Sequence, residues 1–183
     1  MLPIFITITI AVIAAAIVLW IISTRRRLAA LDQNSCNAMS QIGVQLSCRF
    51  DALTVLLDLA KDYAGVEGEA LIETIKLKRS IITATSAPDD VMRQERAIAE
   101  ALDRIAMTAE QCSDLKTDQN YIKAMDAVQT FENMVRTSRL IYNDSVTRLN
   151  REIRMFPVSM VAGMLGFGQR GYLVEQTDMS HMT

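Results

Sequence analysis

Catalysis needs convergent side chains, and this sequence offers few. His181 is the single histidine and stands third from the end of the chain. A Ser-His-Asp or Cys-His arrangement would have to be built on that terminus, and neither an HExxH nor a GxSxG motif occurs. Cys36, Cys48 and Cys112 form an odd set without CxxC spacing or nearby histidines. They read as free thiols in a reducing compartment rather than as a disulfide framework or a zinc site. Carboxylates pair up where helices would start or stop: Glu67 with Glu69, Asp89 with Asp90, Glu110 with Asp114. Charge at such places is ordinarily solvated or capping. Gly163, Gly166 and Gly168 lack the GK[ST] and the preceding strand of a phosphate loop. No catalytic group, cofactor or metal is expected.

Polar residues at helix-interior positions are better candidates for a role. Gln41 and Gln45 lie one turn apart, and Arg49 and Asp51 follow on the same stretch. Tyr142, Asn143 and Thr147 occupy the matching part of a later one. Buried groups of this kind must pair with one another, which fixes helix register or subunit contacts. Gln41, Gln45, Arg49, Tyr142 and Asn143 are therefore expected at a helix seam or an assembly surface. A small polar pocket is the other reading.

The elements that would carry these residues begin with an apolar run. Ile4 to Ile22 holds no charge over 19 residues, which at about 1.5 Å each spans roughly 28 Å, near the thickness of a bilayer core. Thr7 and Thr9 can return their hydroxyls to helix carbonyls, and Trp20 sits near one end, where an amphipathic ring favours the headgroups. A signal peptide would want basic residues before a shorter run and a small-residue cleavage site after it. Instead Arg25, Arg26 and Arg27 follow the run. That order predicts a single-pass anchor with the N-terminus outside and the domain in the cytoplasm.

Beyond the arginines, Leu28, Leu31, Ala38, Ile42, Leu46, Phe50, Leu53, Leu57, Ala60 and Ala64 recur in steps of mostly three or four, the mark of one helical face. No Gly or Pro intervenes between Ile4 and Gly43. Anchor and first helix are thus expected to be continuous as far as Gly65–Gly68, about 60 residues or roughly 90 Å. A second helix is expected from Glu69 to Thr85, with Leu71, Ile72, Ile75 and Ile82 on its face. A third opens at Pro88-Asp89-Asp90 and carries Val91, Ile98, Leu102, Ile105 and Ala109, closing near Cys112. Thr117 or Asp118 can cap a fourth, running to about Met155 with Tyr121, Met125, Val128, Val135, Tyr142, Val146, Leu149 and Ile153 in register. The expected fold is all-α: an N-terminal transmembrane helix continuing into an antiparallel bundle of about four helices, two of them long. The expected division is 1–24 anchor, 25–157 cytoplasmic bundle and 158–183 apolar, then polar, tail.

Phe156 to Phe167 carries no charge over 12 residues, too short to span a bilayer. It either folds back as a cap on the bundle, or dips into the membrane interface or contacts a neighbouring subunit. Phe156, Met164, Leu165 and Phe167 are the residues for either contact. From Gln169 onward the tail is polar and expected to fray.

A formal net charge of -2 argues against a nucleic-acid partner. Several motifs in order resemble the LemA family: Ser40-Gln41-Ile42-Gly43-Val44-Gln45-Leu46, then Arg49-Phe50-Asp51-Ala52-Leu53, and Tyr63-Ala64 with Glu67. Asp114-Leu115-Lys116, Tyr142-Asn143-Asp144 with Val146 and Asn150, and Phe156-Pro157 with Ala162-Gly163 and Gly166-Phe167 complete the set. The resemblance covers roughly residues 25–172. Departures are Gly43 where the family usually has Asp, Cys48 for a second basic residue, Thr54 for Pro, and Cys112-Ser113 for Tyr-Pro. The missing Asp takes away one charged partner for Arg49. The resemblance implies a bacterial inner-membrane protein with a cytoplasmic helical bundle and no established reaction. One branch of the family occurs on magnetosome membranes. The expected function is a non-enzymatic membrane scaffold, in contact with lipid and forming a homo-oligomer. The alternatives are membrane shaping, or adapting a membrane-protein partner such as a protease or transporter.

Overall fold

A computed structural model describes residues 2–173, which form helices α1 (Leu2–Leu77), α2 (Pro88–Gln111), α3 (Ser113–Thr117), α4 (Gln119–Arg154) and α5 (Val158–Val161). No strand occurs among the described residues. The all-α class and the continuity of the apolar stretch with the first helix are as expected. The helix, however, does not stop at Gly65–Gly68: α1 runs through both glycines to Leu77. A helical Gly costs only about 1 kcal/mol against Ala, which a long helix tolerates. The separate second helix is absent. Its first half belongs to α1, and residues 78–87 are not helical, in keeping with the β-branched run Ile81-Ile82-Thr83 and Thr85, which resists helix. The His181 end and the polar tail beyond Leu173 lie outside the described residues, as do the side chains of Ala64, Leu71 and Ile72.

The chain divides into two compact units, Met1–Ser35 with Asp144–Arg170, and Cys36–Asn143 with Gly171–Thr183. In the second, parts of α1, α2 and α4 pack together, with Ala60, Ala109 and Leu115 forming a cluster of their own. The α1 stripe read from the sequence is buried at Ala38, Ile42, Leu46, Phe50, Leu53, Leu57 and Ala60, with Met39 and Leu56 added. From α2 come Val91, Ala97, Ile98, Ala101, Ile105 and Ala109, and from α4 Ala124, Val128, Val135 and Tyr142. Burying each large side chain contributes about 1.5–3 kcal/mol. Met125, expected inward, is 36% exposed, and Ala124 takes the inner place. α1 and α4 run antiparallel, since Arg49 meets Glu132 while Ala60 lies in the cluster packed by Tyr121.

The start of α2 follows its sequence. Pro88 stands in the first turn, and Asp90 accepts a hydrogen bond from the Ala87 N–H at 2.9 Å and pairs with Arg93. Asp118 caps α4, accepting from the Asn120 N–H at 2.7 Å. Residues 78–87 form a non-helical strap with a turn from Thr83 to Ser86. Arg79 lies 2.8 Å from Asp51, donates to Ser47 Oγ at 2.7 Å and stacks 5.5 Å from the Phe50 ring centre. The Ser80 N–H and hydroxyl both donate to the buried Gln94 side-chain oxygen at 2.7 Å. Gly43 makes this crossing possible: a Cβ there would stand 2.2 Å from the Ile82 carbonyl oxygen.

In the first unit, α1 leaves its apolar stretch and meets the end of α4 and the chain after it. Leu28, Leu149, Ile153, Val158 and Ala162 form the core, with Leu31 and Phe167 packed against it. The chain turns after Met155 through a cis Phe156–Pro157 peptide. Helical hydrogen bonds then resume, from the Ser159 N–H to Met155 O and from the Leu165 N–H to Val161 O.

Candidate functional site

Three places gather the polar and apolar residues that the sequence singles out. The first is a charged cluster inside the larger unit. α1 carries Arg49 on its core stripe, 7% exposed, where Nη2 donates to Glu132 Oε2 of α4 at 2.8 Å. Its Nε is buried without a hydrogen-bond partner. Nearby, Arg139 Nη1 of α4 donates to both oxygens of Glu95 on α2, at 3.0 and 3.2 Å. Burial lowers the Arg49 pKa, opposed by attraction to Glu132 and Glu95. Burial likewise raises Glu95, against the pull of Arg139 and Arg49. Two cations and two anions thus tie three helices. Desolvation offsets much of their attraction, so such a cluster serves helix register more than net stability. Both Glu95 oxygens are engaged, which leaves it poorly placed to act as a base.

Sequence reasoning picked Arg49 but not its partners. Arg49 finds its counter-charge at Glu132, so the missing Asp at position 43 does not leave it uncompensated. The available signal was weak: Glu132 and Arg139 stand seven residues apart on one face of α4.

The second place is a solvent-open groove of about 460 Å³ between α1 and α4. Gln41 and Gln45 line it from α1, and Thr130, Asn133, Met134, Thr137, Ser138 and Ile141 from α4. Gln41 is exposed and Gln45 half-buried, so the pair faces a groove instead of closing a buried seam. Along the same two helices a second hollow of about 420 Å³ is lined by Ala52, Val55 and Leu59 with Asn120, Lys123, Ala124 and Ala127. Tyr142 and Asn143 belong elsewhere. Tyr142 Oη donates to Gly171 O at 3.0 Å, and Asn143 holds Leu173 by both its N–H and its carbonyl, at 2.9 and 2.8 Å.

The third place is the smaller unit. Every side chain from Ile4 to Trp20 is exposed, and the stretch is long and apolar enough to cross a membrane. Ile22 is 45% exposed. Thr7 donates to Ile4 O at 2.9 Å and Thr9 to Phe5 O at 2.8 Å. Arg25 and Arg26 are exposed, and Arg27 pairs with Glu152 at 3.0 Å. The tail residues divide: Phe167 packs on the core and Leu165 is half-buried, whereas Phe156 and Met164 are 80% and 87% exposed. Asn150, 3% exposed, clamps the Arg170 backbone from both sides at 2.9 Å, and the Arg170 side chain reaches Asp32 at 2.6 Å. This clamp was missed as a device, although Asn150 was among the motif residues.

Chemically, the charged cluster and the asparagine clamps fasten helices and backbone to one another. Cys36, Cys48 and Cys112 are half-buried and none of them is in a disulfide. Among the described residues no group of three or more His, Cys, Asp or Glu converges as a metal site. A comparison with curated proteins gives no match. The model of the LemA family matches residues 38–181, taking in the charged cluster, the groove and the tail clamps. With most of its length so matched, the chain belongs to the LemA family.

Proposed function

We propose that this protein is a non-enzymatic, membrane-anchored helical scaffold that self-associates on the bacterial inner membrane. Its N-terminus lies outside and its bundle in the cytoplasm. The observation that carries the reading is α1 itself, one helix from Leu2 to Leu77. Its first part exposes large apolar side chains from Ile4 to Ile22, while its later part supplies core residues such as Ile42, Leu46 and Phe50. Leaving a row of such side chains in water forfeits about 1.5–3 kcal/mol for each, which lipid relieves. Arg25, Arg26 and Arg27 support the orientation by the positive-inside tendency.

Self-association is supported by the groove along α1 and α4. Its lining carries no charge and mixes amides and hydroxyls with Met134 and Ile141, 44% and 48% exposed. A second copy of the same mixed surface suits such a groove. Mass photometry of the full-length protein in nanodiscs is expected to show more than one copy. Ile141→Arg, at an exposed position, is expected to leave the fold intact and shift the mass toward one copy. Wild-type protein that is strictly monomeric would sink the scaffold reading.

A further inference from the structure

The uncharged tail splits into two faces. Val158 and Ala162 point into the core of the smaller unit, 9% and 1% exposed. On the other side stand Met155, Phe156, Met160 and Met164, exposed at 52%, 80%, 69% and 87%. Met160 belongs to α5, and Phe156 and Met164 stand in the turns on either side of it, tied in by hydrogen bonds from the Ser159 N–H to Met155 O and from the Leu165 N–H to Val161 O. All three turn away from the core that takes Val158 and Ala162. Four large apolar side chains on one small surface, with no charge between Phe156 and Phe167, form a patch that water disfavours.

The position of the patch along α1 says what covers it. Thr24, two residues past the end of the apolar run, is already only 7% exposed. Glu152 meets Arg27, and Asn150 reaches Asp32 through Arg170, so α4 proceeds toward the apolar run as α1 leaves it. Residues 155 and 156 therefore come level with Thr24, about 3 Å of helix rise beyond Ile22. The core beneath the patch packs on Leu28, about 9 Å beyond Ile22. Interfacial helices bury their apolar face about 5–10 Å into the headgroup boundary. Around the patch Arg25, Arg26, Arg151 and Arg154 are all exposed, a cationic rim suited to anionic headgroups.

We propose that Met155, Phe156, Met160 and Met164 form a second membrane contact, a non-spanning wedge in the headgroup region of an anionic bilayer. The inference rests on reading Ile4–Ile22 as a span. It adds that the same unit holds the membrane at two points, through the lipid core and at its surface. Val158, Ala162 and Phe167 then serve as the inner side of a membrane-facing element.

The test uses full-length protein in vesicles of phosphatidylethanolamine and phosphatidylglycerol, with and without brominated acyl chains. Trp20 is the only tryptophan, so wild-type fluorescence reports on the span. In a Trp20→Phe background, Met160→Trp and, separately, Phe156→Trp report on the patch. Both positions are exposed, so neither change disturbs the core. The expected result is blue-shifted emission that loses much of its intensity in brominated lipid, for Trp20 and for both patch reporters. Quenching of the patch reporters is expected to fall when phosphatidylcholine replaces phosphatidylglycerol. Equal quenching in both lipids would remove the part assigned to the arginines. Quenched Trp20 with unquenched patch reporters overturns the wedge and leaves the span standing. Blue-shifted but unquenched patch reporters overturn it in favour of a protein cover. If Trp20 is also unquenched, the span reading falls with it.

Discussion

In the unit of Cys36–Asn143 one set of linked charges lies inside: Arg49 is 7% exposed, and the side chains of Glu95 and Arg139 are 15% exposed. In the unit of Met1–Ser35 and Asp144–Arg170 no pair is buried on both sides: the Glu152 side chain is 11% exposed but its partner Arg27 is 69% exposed, and Asp32 and Arg170 are each about a third exposed. Interior pairs are little screened by salt but must offset desolvation, whereas marginal pairs are cheap to form and weak. The first unit to fail under each kind of stress should therefore differ. The bundle depends on charges meeting correctly across three helices. The smaller unit depends on a few apolar contacts and on Asn150 gripping backbone.

The largest expected effect tests whether these are separate cores. Leu149→Ala empties a fully buried position of the smaller unit and is expected to cost about 2–5 kcal/mol. Hydrogen exchange should accelerate at Leu28, Ile153 and Ala162 while Ile98 and Ile105 stay protected. Uniform acceleration would break the comparison. Next comes Glu132→Ala, which strands Arg49 in the interior. It is expected to cost about 2–4 kcal/mol in urea denaturation, less than a fully buried pair because Glu132 is a third exposed. High salt should neither mimic nor rescue that loss.

Gly43→Ala is smaller. The new methyl meets the Ile82 carbonyl, so the strap must move, at about 1–3 kcal/mol. Limited proteolysis should then cut between Ile81 and Thr85, and an unchanged digest would contradict the close approach. The smallest effect is a pH slope. Burial raises the Glu95 pKa in the folded protein, so the native state binds the proton more tightly than the unfolded chain. Stability from this residue is greatest below the ordinary carboxylate range and declines as pH rises through the raised folded value. Melting temperatures of wild type and Glu95→Gln, compared from about pH 4 to 7, should show the wild type losing ground with rising pH relative to the variant.

The sequence made the regular parts legible because periodic burial leaves periodic residues. The α1 stripe from Ala38 to Ala60, the Pro88-Asp89-Asp90 start of α2 and the Asp118 cap of α4 all followed from local rules. What failed was punctuation. Gly65 and Gly68 suggested a stop, yet their small individual costs do not end a helix. Residues 78–87 looked like a helix because Ile75 and Ile82 are spaced as one, although Ile82 is buried from a non-helical strap. Of the site, Arg49 was legible as a buried charge. Its partner Glu132, 83 residues away, was not, because an ion pair across a bundle leaves no periodic trace. The backbone grips of Asn143 and Asn150 were hidden for the same reason: their partners are main-chain groups that any residue supplies.

Thr7 and Thr9 turn their hydroxyls to carbonyls of their own helix, at Ile4 and Phe5. Apart from Trp20, the stretch Ile4–Ile22 then has no side-chain donor to offer another helix. Helices that pack against one another in lipid also do so through small residues four apart, and Thr7, Ala11 and Ala15 stand in that register. In a bilayer, a companion helix would meet this stretch through close approach of backbones, not through polar side chains.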